Sequence, residues 1–377
     1  MLHISGQTVQ FGPAHPAAHG VLRCVLTMRG EYIISTNITL GLLHRGTEKL
    51  LEQRTVHQSI AYMDRMDYVS MMSNELAYVE CAEQLLAVVV STQDMLARAL
   101  LTESTRMQNH LLNIACHAGD VGCLVALLWL FEDREVLYDI VCTWCGARMH
   151  ASCIVPGGLR SATLAHSLHV LLECIHAMTM KMDSLVNAVA LHRVWATRLT
   201  SIGVVATQGT SSSSSGVVLR STGVSWDVRA VGHCTAYSVL QLCVVSGTQA
   251  DSMDRVLMRI LESIVSASLC SQLCTAALRT SVASAQAHRT SVSLHNVLSS
   301  FVGTGTLHGA ALHSIESPKG ELSVAMHWSH GTCWRTRVRP ADIAHVLMLQ
   351  QLSIGTSLSD MVMLVGTIDI VFGSVDL

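Results

Sequence analysis

Three short stretches of the 377-residue chain gather side chains that could do chemistry. The first, Phe11-Gly12-Pro13-Ala14-His15-Pro16-Ala17-Ala18-His19-Gly20, holds two histidines four residues apart. On a helix they would share a metal-binding face, but Pro13, Pro16 and the glycines favour a tight loop, and the glutamate of an HExxH zinc site is missing. A proline-stiffened loop around imidazoles suits a group of near-neutral pKa held in place, and it suits a purely structural turn equally well. The other two stretches, His44-Arg45-Gly46-Thr47-Glu48-Lys49 and Asp64-Arg65-Met66-Asp67-Tyr68, set arginines beside acids at expected helix edges. Surface ion pairs explain such runs in most proteins. Charged residues are only 14% of this chain, however, so a cluster of them between apolar helices is expected to be partly buried, where functional groups concentrate.

Metal ligation finds no support in the cysteines. There are 13 of them, scattered from Cys24 to Cys333. Cys142 and Cys145 form a CTWC motif and Cys270 and Cys274 lie one helical turn apart, yet no second CxxC stands at zinc-ligand spacing, and no set of four suits an iron-sulfur cluster. Free, buried thiols in a reducing compartment are the expectation.

Composition narrows the function classes. Lys+Arg number 24 and Asp+Glu 27, a formal net charge of -3, and lysine occurs only at Lys49, Lys181 and Lys319. Nucleic-acid binding is therefore disfavoured, because no basic field is present. Disorder is excluded, since 50% of residues are hydrophobic and the mean hydropathy is +0.41. That apolar excess points to large protein interfaces. The best continuous apolar stretch, Val121 to Phe131, is too short to cross a bilayer, so no transmembrane helix is expected. MLHISGQTVQFG reads as neither signal nor transit peptide.

The elements that must position these residues follow from periodicity. The first 40 residues alternate and break at Arg29-Gly30, which predicts a hairpin or small antiparallel sheet. From Thr47 to about His192 the spacing is helical, as in Leu76, Val79, Leu86 and Val90 after a capping Ser73-Asn74. Val155-Pro156-Gly157-Gly158 reads as a loop, and Ser211 to Ser215 mark a serine-rich loop near 209–216. A helix from Asp251 to Cys274 rejoins the bundle. Beyond Leu312, strands (ELSVAMHW, TRVRP) precede a helix around His345 to Leu352. No repeat of 20 to 50 residues recurs. The expected fold is α+β, mostly α, divided as a β region over 1–45, a helical core over 46–300 and an α+β region over 301–377.

FGPAHPAAHGVLR, GLLHRGTEKLLE, YMDRMDYVSMM, CGARMHA, PGG, DRVLMR, ESPKGE and GTIDIVFGSVD stand in this order along nearly the whole chain. Together they resemble the 49-kDa (NuoD-type) subunit family of respiratory complex I, the proton-pumping NADH:quinone oxidoreductase, which is related to the large subunit of nickel-iron hydrogenases. The stretches 161–197, 230–250 and 275–311 are too divergent to align by eye. The resemblance implies a hydrogenase-large-subunit-like helical bundle. It places the four metal-binding hydrogenase cysteines at Asp67, Ser70, Val371 and Ser374, so all four thiolates are missing and hydrogen chemistry is excluded.

The family instead forms the headgroup end of a quinone chamber. By motif, His19 and Tyr68 match the pair that hydrogen-bonds the quinone carbonyls and Asp120 matches the acid paired with that histidine. His15 belongs to the same loop. Arg45, Arg65 and His150 match positions near a 4Fe-4S cluster held by a partner subunit. Ubiquinone is the implied substrate, with no metal or cofactor of the chain's own. Implied partners are the cluster-bearing 20-kDa-type, 30-kDa-type, 23-kDa ferredoxin-type and membrane-arm quinone-tunnel subunits. The implied place is the matrix side of the mitochondrial inner membrane, with the chain encoded in the organelle. Two positions depart from the family: Val155 stands where arginine is usual, and Ala230 to Tyr237 lacks the usual aromatic residues. Left to their own chemistry, Tyr68 would read as a buried helix anchor and His150 as a solvated helix end. The rival reading is a catalytically silent scaffold of the same assembly.

Overall fold

Alternation of apolar and polar residues produces an antiparallel meander of β1 (Gln7–Phe11), β2 (Arg23–Arg29) and β3 (Tyr32–Thr39). The molecule is described by a computed structural model over residues 6–15, 20–160, 168–191, 193–205, 214–231, 235–284, 308–329 and 332–377. Cys24, Leu26, Met28 and Ile33 are buried on one face of the meander, as a period of two requires. The expected break falls at Gly30, whose φ of 64° disfavours a residue with a side chain. The buried face packs on Val346 and Leu349, and on Met361, Leu364 and Ile368. These belong to two C-terminal helices, so the ends of the chain share an apolar cluster distinct from the main core.

Between those ends the chain is helical: α1 (Thr47–Glu52), α2 (Val56–Met63), α3 (Met71–Leu86), α4 (Thr92–Val121), α5 (Leu124–Cys145), α6 (Leu168–Leu191), α7 (Arg193–Leu199), α8 (Gly216–Arg220) and α9 (Ser252–Ser284). The Val155–Gly158 loop is the turn of a minimal hairpin, β4 (Ile154–Val155) with β5 (Gly158–Leu159). A second meander, β6 (Gly309–Ser317), β7 (Gly320–Ser329) and β8 (Thr332–Arg339), packs on α3. The chain closes with α10 (Ala341–Leu352), α11 (Leu358–Ile368) and α12 (Phe372–Val375). The fold is thus mostly α with small antiparallel sheets, as expected.

Two local expectations need correction. Ser73 and Asn74 do not cap α3; the helix begins at Met71, and both residues are buried inside it, with Asn74 donating to the Met63 carbonyl at 3.2 Å. Val90 lies beyond the end of α3, which stops at left-handed Ala87. Secondly, Val121–Phe131 is not the segment by which to judge whether a helix could cross a membrane. Ser252–Arg279 of α9 is long and apolar enough to cross a membrane by length and composition. Half of that apolar window is buried inside the molecule, where α9 lies along α4, which marks it as a core helix. The serine-rich run falls largely outside the described residues, apart from Ser214 and Ser215.

Helix α4 carries the centre of the fold. Ser91 caps it, its hydroxyl accepting from the Asp94 amide at 3.1 Å, and Gly122 ends it at φ 98°. Its middle is covered on all sides, so even Arg98, Glu103, Arg106, Asn109 and His110 are buried. Such groups need partners, because an unpaired buried charge costs several kcal/mol. Glu103 pairs with Arg106 at 3.3 Å and Arg229 at 3.1 Å, and accepts from the Tyr237 hydroxyl at 2.6 Å. Arg229 also binds Asp227 at 2.7 Å, Arg220 reaches Glu262 of α9 and Glu316 of β6 at 2.7 Å each, and Glu262 lies 3.2 Å from His110. Burial opposes ionisation of Glu103, but Arg106 and Arg229 outweigh it and hold its pKa down to about 2.

This ladder fastens the irregular segment around 220–237 to the helices. Replacing Arg229 by methionine removes the closest cation from both Glu103 and Asp227, leaving only Arg106 and Arg220 beside them among the described residues, and is expected to destabilise the chain by about 3–5 kcal/mol. Thermal dissociation of the purified assembly measures this, and an unchanged midpoint would show that the ladder is dispensable.

Candidate functional site

The loop joining α2 to α3 is built around Asp67. Its carboxylate accepts from the amides of Val69 at 3.2 Å and Ser70 at 3.3 Å and from the Ser70 hydroxyl. This wraps the backbone about a buried acid and turns the adjacent Tyr68 outward, 41% exposed. The Tyr68 hydroxyl makes no hydrogen bond among the described residues. Burial of the rest of the ring, then the neighbouring Asp67 carboxylate, raise its pKa above the ordinary phenol value.

Below this loop lies Lys319, in the β6–β7 turn and almost wholly buried. Its ammonium donates to Asp67 at 2.9 Å and to Asn109 Oδ1 of α4 at 2.7 Å, while Asn109 Nδ2 donates to Asp369 at 2.9 Å. Burial works against the charged amine, but Asp67, Asp369 and Asp342 prevail and keep the Lys319 pKa above the usual lysine value. The turn is held from outside by Gly216, where a Cβ would come within 2.5 Å of the Lys319 carbonyl oxygen. Asp369 ends α11 at φ 64°, with the Arg259 guanidinium 4.0 Å away.

The four positions that the sequence resemblance pairs with hydrogenase cysteines, Asp67, Ser70, Val371 and Ser374, fall on two segments that touch. Asp67 and Ser70 sit on one loop. At the facing start of α12, the Ser374 hydroxyl donates to Asp342, whose other oxygen accepts from the Val371 amide at 3.4 Å. The segments touch where Gly373 has no Cβ, since one would stand 2.5 Å from the Met66 carbonyl oxygen. Carboxylates, hydroxyls and one ammonium fill this region. Burial pushes the Asp342 pKa up to about 7, against the lowering pull of Lys319.

Asp120 is exposed in the last turn of α4, and Gly366 of α11 faces it: a Cβ there would lie 3.6 Å from Asp120 Oδ2. Cys116, one turn earlier, is exposed too and feels the charges of Asp120 and Asp369. Because Cys116 and Asp369 also act on Tyr68, Tyr68 and Asp120 belong to the same end of α4. His19 lies outside the described residues. His15 is exposed, tilted on Phe11 with ring centroids 4.7 Å apart, and lines a cavity of about 750 Å³ with Leu358 and Val362.

Arg45 and Arg65 are exposed neighbours. Arg45 donates to the Arg65 carbonyl at 3.0 Å and Arg65 to the Ala61 carbonyl at 2.6 Å, and neither forms an ion pair among the described residues. The expectation of a partly buried charge cluster therefore holds for the acids Asp64 and Asp67 and fails for these arginines, whose side chains face outward. His150 is not a solvated helix end. It occupies a left-handed turn at φ 54°, its amide contacts Met71 Sδ at 3.0 Å, and its Nδ1 is buried without a partner among the described residues.

Comparison with known proteins decides the family. Residues 120–377 match the family described as respiratory-chain NADH dehydrogenase, 49 Kd subunit. An NADH-quinone oxidoreductase protein of Polynucleobacter asymbioticus is 36% identical over 418 residues, an alignment that covers the whole of both chains. This chain belongs to the 49-kDa subunit family. Two further relatives are 37% identical over 383 residues, covering 98% of this chain and 96% of theirs: NADH dehydrogenase (ubiquinone) iron-sulfur protein 2 of Nephroselmis olivacea and the NADH-ubiquinone oxidoreductase 49 kDa subunit of Pylaiella littoralis.

In this 49-kDa family member, motif reading missed the floor of the site: Lys319, Asn109, Asp342 and Asp369. Lys319 had a signal, as one of three lysines and inside ESPKGE, and Asp369 stands in GTIDIVFGSVD; Asn109 and Asp342 show only when α4 and α10 are brought together. The buried Val155 carbonyl is taken by Arg98 Nη2 at 2.7 Å. Replacing Lys319 with methionine strands Asp67 and Asp369, with an expected loss of about 3–5 kcal/mol. Adding Asp67→Asn is expected to recover part of it. A double-mutant cycle on heat stability checks the coupling, and strict additivity would mean that the two groups do not interact.

Proposed function

We propose that this chain forms the quinone-headgroup site of a proton-pumping NADH:quinone oxidoreductase, with His19 and Tyr68 donating hydrogen bonds, and then protons, to the two quinone carbonyls. The observation that supports this most is the placement of Tyr68. Its hydroxyl, unused by any described group, stands above a floor whose own polar groups are already satisfied, at the end of α4 that carries Asp120.

Reducing a quinone to a quinol adds two electrons and two protons. Donors aimed at oxygens where negative charge develops lower the barrier. Tyr68 keeps its proton at neutral pH, because burial and Asp67 raise its pKa, and gives it up only when the carbonyl oxygen becomes a stronger base. Asp120 pairs with His19 and stabilises its imidazolium, the two titrating together. His15 belongs to the same chamber wall. When the assembly is complete, a 4Fe-4S cluster on the 20-kDa-type partner supplies the electrons, and ubiquinone is the substrate. The unpaired Arg45 and Arg65 offer positive charge to that cluster, and His150 offers an imidazole that takes up a proton beside it.

The same reading accounts for the apolar surface. At the start of α5, just beyond Asp120, Leu124, Val125, Leu128 and Trp129 are all more than half exposed. They fit burial against sister subunits, which we take to be the 20-kDa-type, 30-kDa-type, 23-kDa ferredoxin-type and membrane-arm quinone-tunnel subunits. We place the assembly at the matrix side of the mitochondrial inner membrane, in line with its organellar relatives.

In the intact complex, Tyr68→Phe and His19→Ala are each expected to lower quinone reduction about 10²-fold or more, with reduction of the iron-sulfur chain by NADH unaffected. Inhibitor-sensitive quinone reduction that survives both changes together would make this chain a scaffold.

A further inference from the structure

Two carboxyl groups meet in the interior between the Tyr68 loop and the His150 turn, with no cation among the described residues to neutralise them. Asp64, at the C-terminal end of α2, and Glu75, near the start of α3, are both fully buried. Each gives one oxygen to the segment that follows His150. Asp64 Oδ2 accepts from the Ser152 amide at 3.1 Å and its hydroxyl at 2.9 Å, and Glu75 Oε2 accepts from the Ile154 amide at 2.7 Å. The remaining oxygens, Asp64 Oδ1 and Glu75 Oε1, are buried and take no donor among the described residues, and the Asp64 carboxyl is near enough to act on Glu75. Two bare carboxylates cannot both stay ionised in such a place, whereas one proton between them converts repulsion into a charge-assisted hydrogen bond.

We propose that Asp64 and Glu75 share a single proton, and that the resulting O–H···O bond clamps the turn carrying His150 against the loop carrying Tyr68. The proton sits on Glu75 and is donated to Asp64. Both are positioning residues, and that role rests on the quinone-site reading, whereas the shared proton does not. The clamp has work to do, because His150 and Ser152 hold φ of 54° and 45°, left-handed values that residues with side chains keep only when their surroundings impose them.

Burial, then the Asp64 carboxyl, raise the Glu75 pKa well above the usual glutamate value. Besides Asp64 from α2, the titratable groups facing Glu75 are thiols: Cys153 on the His150 segment and, from α5, Cys145, with Cys142 behind it. Cys145 is hydrogen-bonded to Cys153, which together with burial keeps it a neutral thiol. The CTWC motif thus walls the clamp and leaves it without a counter-cation.

Glu75→Gln retains a neutral donor toward Asp64, and Glu75→Leu removes it. Both are to be made in the intact membrane complex, with stability read as heat-induced loss of the assembly on a native gel, a signal independent of quinone chemistry. An unfolded glutamate loses its proton near pH ~4.3, whereas native Glu75 keeps it, so only the wild type loses stability from this group as pH rises above that value. The midpoint of Glu75→Gln relative to wild type is therefore expected to climb by several degrees between about pH 5 and about pH 9. Glu75→Leu is expected to fall below wild type at the acid end of that range. A difference between Glu75→Gln and wild type that does not change with pH overturns the shared proton. A Glu75→Leu protein as stable as wild type at the acid end overturns the clamp.

Discussion

Buried arginine holds this fold together, and it does so largely by serving backbone carbonyls at the ends of elements and in the connections between them. A mostly helical protein with small sheets must bury carbonyls at such ends, and each one left unpaired is costly. Arg98 donates to the carbonyls of Val155 and Gly158, Arg106 to that of Glu316, Arg255 to those of Gly203 and Ala250, and Arg259 to those of Thr367 and Ile368. A guanidinium offers five donors in a planar fork and can bind a carboxylate and a carbonyl at once, as Arg98 does with Glu83 at 2.6 Å. A lysine cannot match that geometry. The near absence of lysine from a chain with 24 basic residues then has a structural counterpart in the interior.

The same constraint shapes the site. Helix α4 passes from the arginine-rich ladder at Glu103 through Asn109 to Asp120, so one rigid rod carries both the structural charges and the end of the site. Lys319 is the exception that fits this pattern. Where Asp67 and Asn109 converge from two directions, a compact ammonium on a long apolar stem reaches both acceptors from the β6–β7 turn. The floor is thereby saturated before any ligand arrives, and Tyr68 is left facing outward with its hydroxyl free of the floor.

Much of this was legible in the sequence because motif and period agree. The break at Gly30, the loop at Val155–Gly158, α9 and the closing strands and helix all lie where alternation and turn residues predict them. Ser73-Asn74 misled because a capping residue and a buried small polar residue look alike in sequence; only the covering of α3 by β6 and β7 shows which it is. The apolar content of α9 was hidden because small polar residues interrupt it, whereas Val121–Phe131 is uninterrupted yet split by Gly122 between two helices. The site was legible as residues and not as a place. Tyr68, Asp120, Arg45, Arg65, Lys319 and Asp369 stand in recognisable motifs, but Asn109 joins Lys319 and Asp369 only through contacts more than 200 residues apart in the chain. His19 lies outside the described residues, so its partnership with Asp120 rests on motif alone.

Two segments meet at the floor of the site. Gly373 lets the Val371–Ser374 segment approach Met66 closely. Asp67 and Ser70 bond each other, and Val371 and Ser374 both engage Asp342. Lys319 supplies one charge to a carboxylate and an amide, and the Ser70 and Ser374 hydroxyls donate to Asp67 and Asp342. Reactive groups must then be found above the floor, and the exposed, unbonded hydroxyl of Tyr68 is the one the loop around Asp67 puts there.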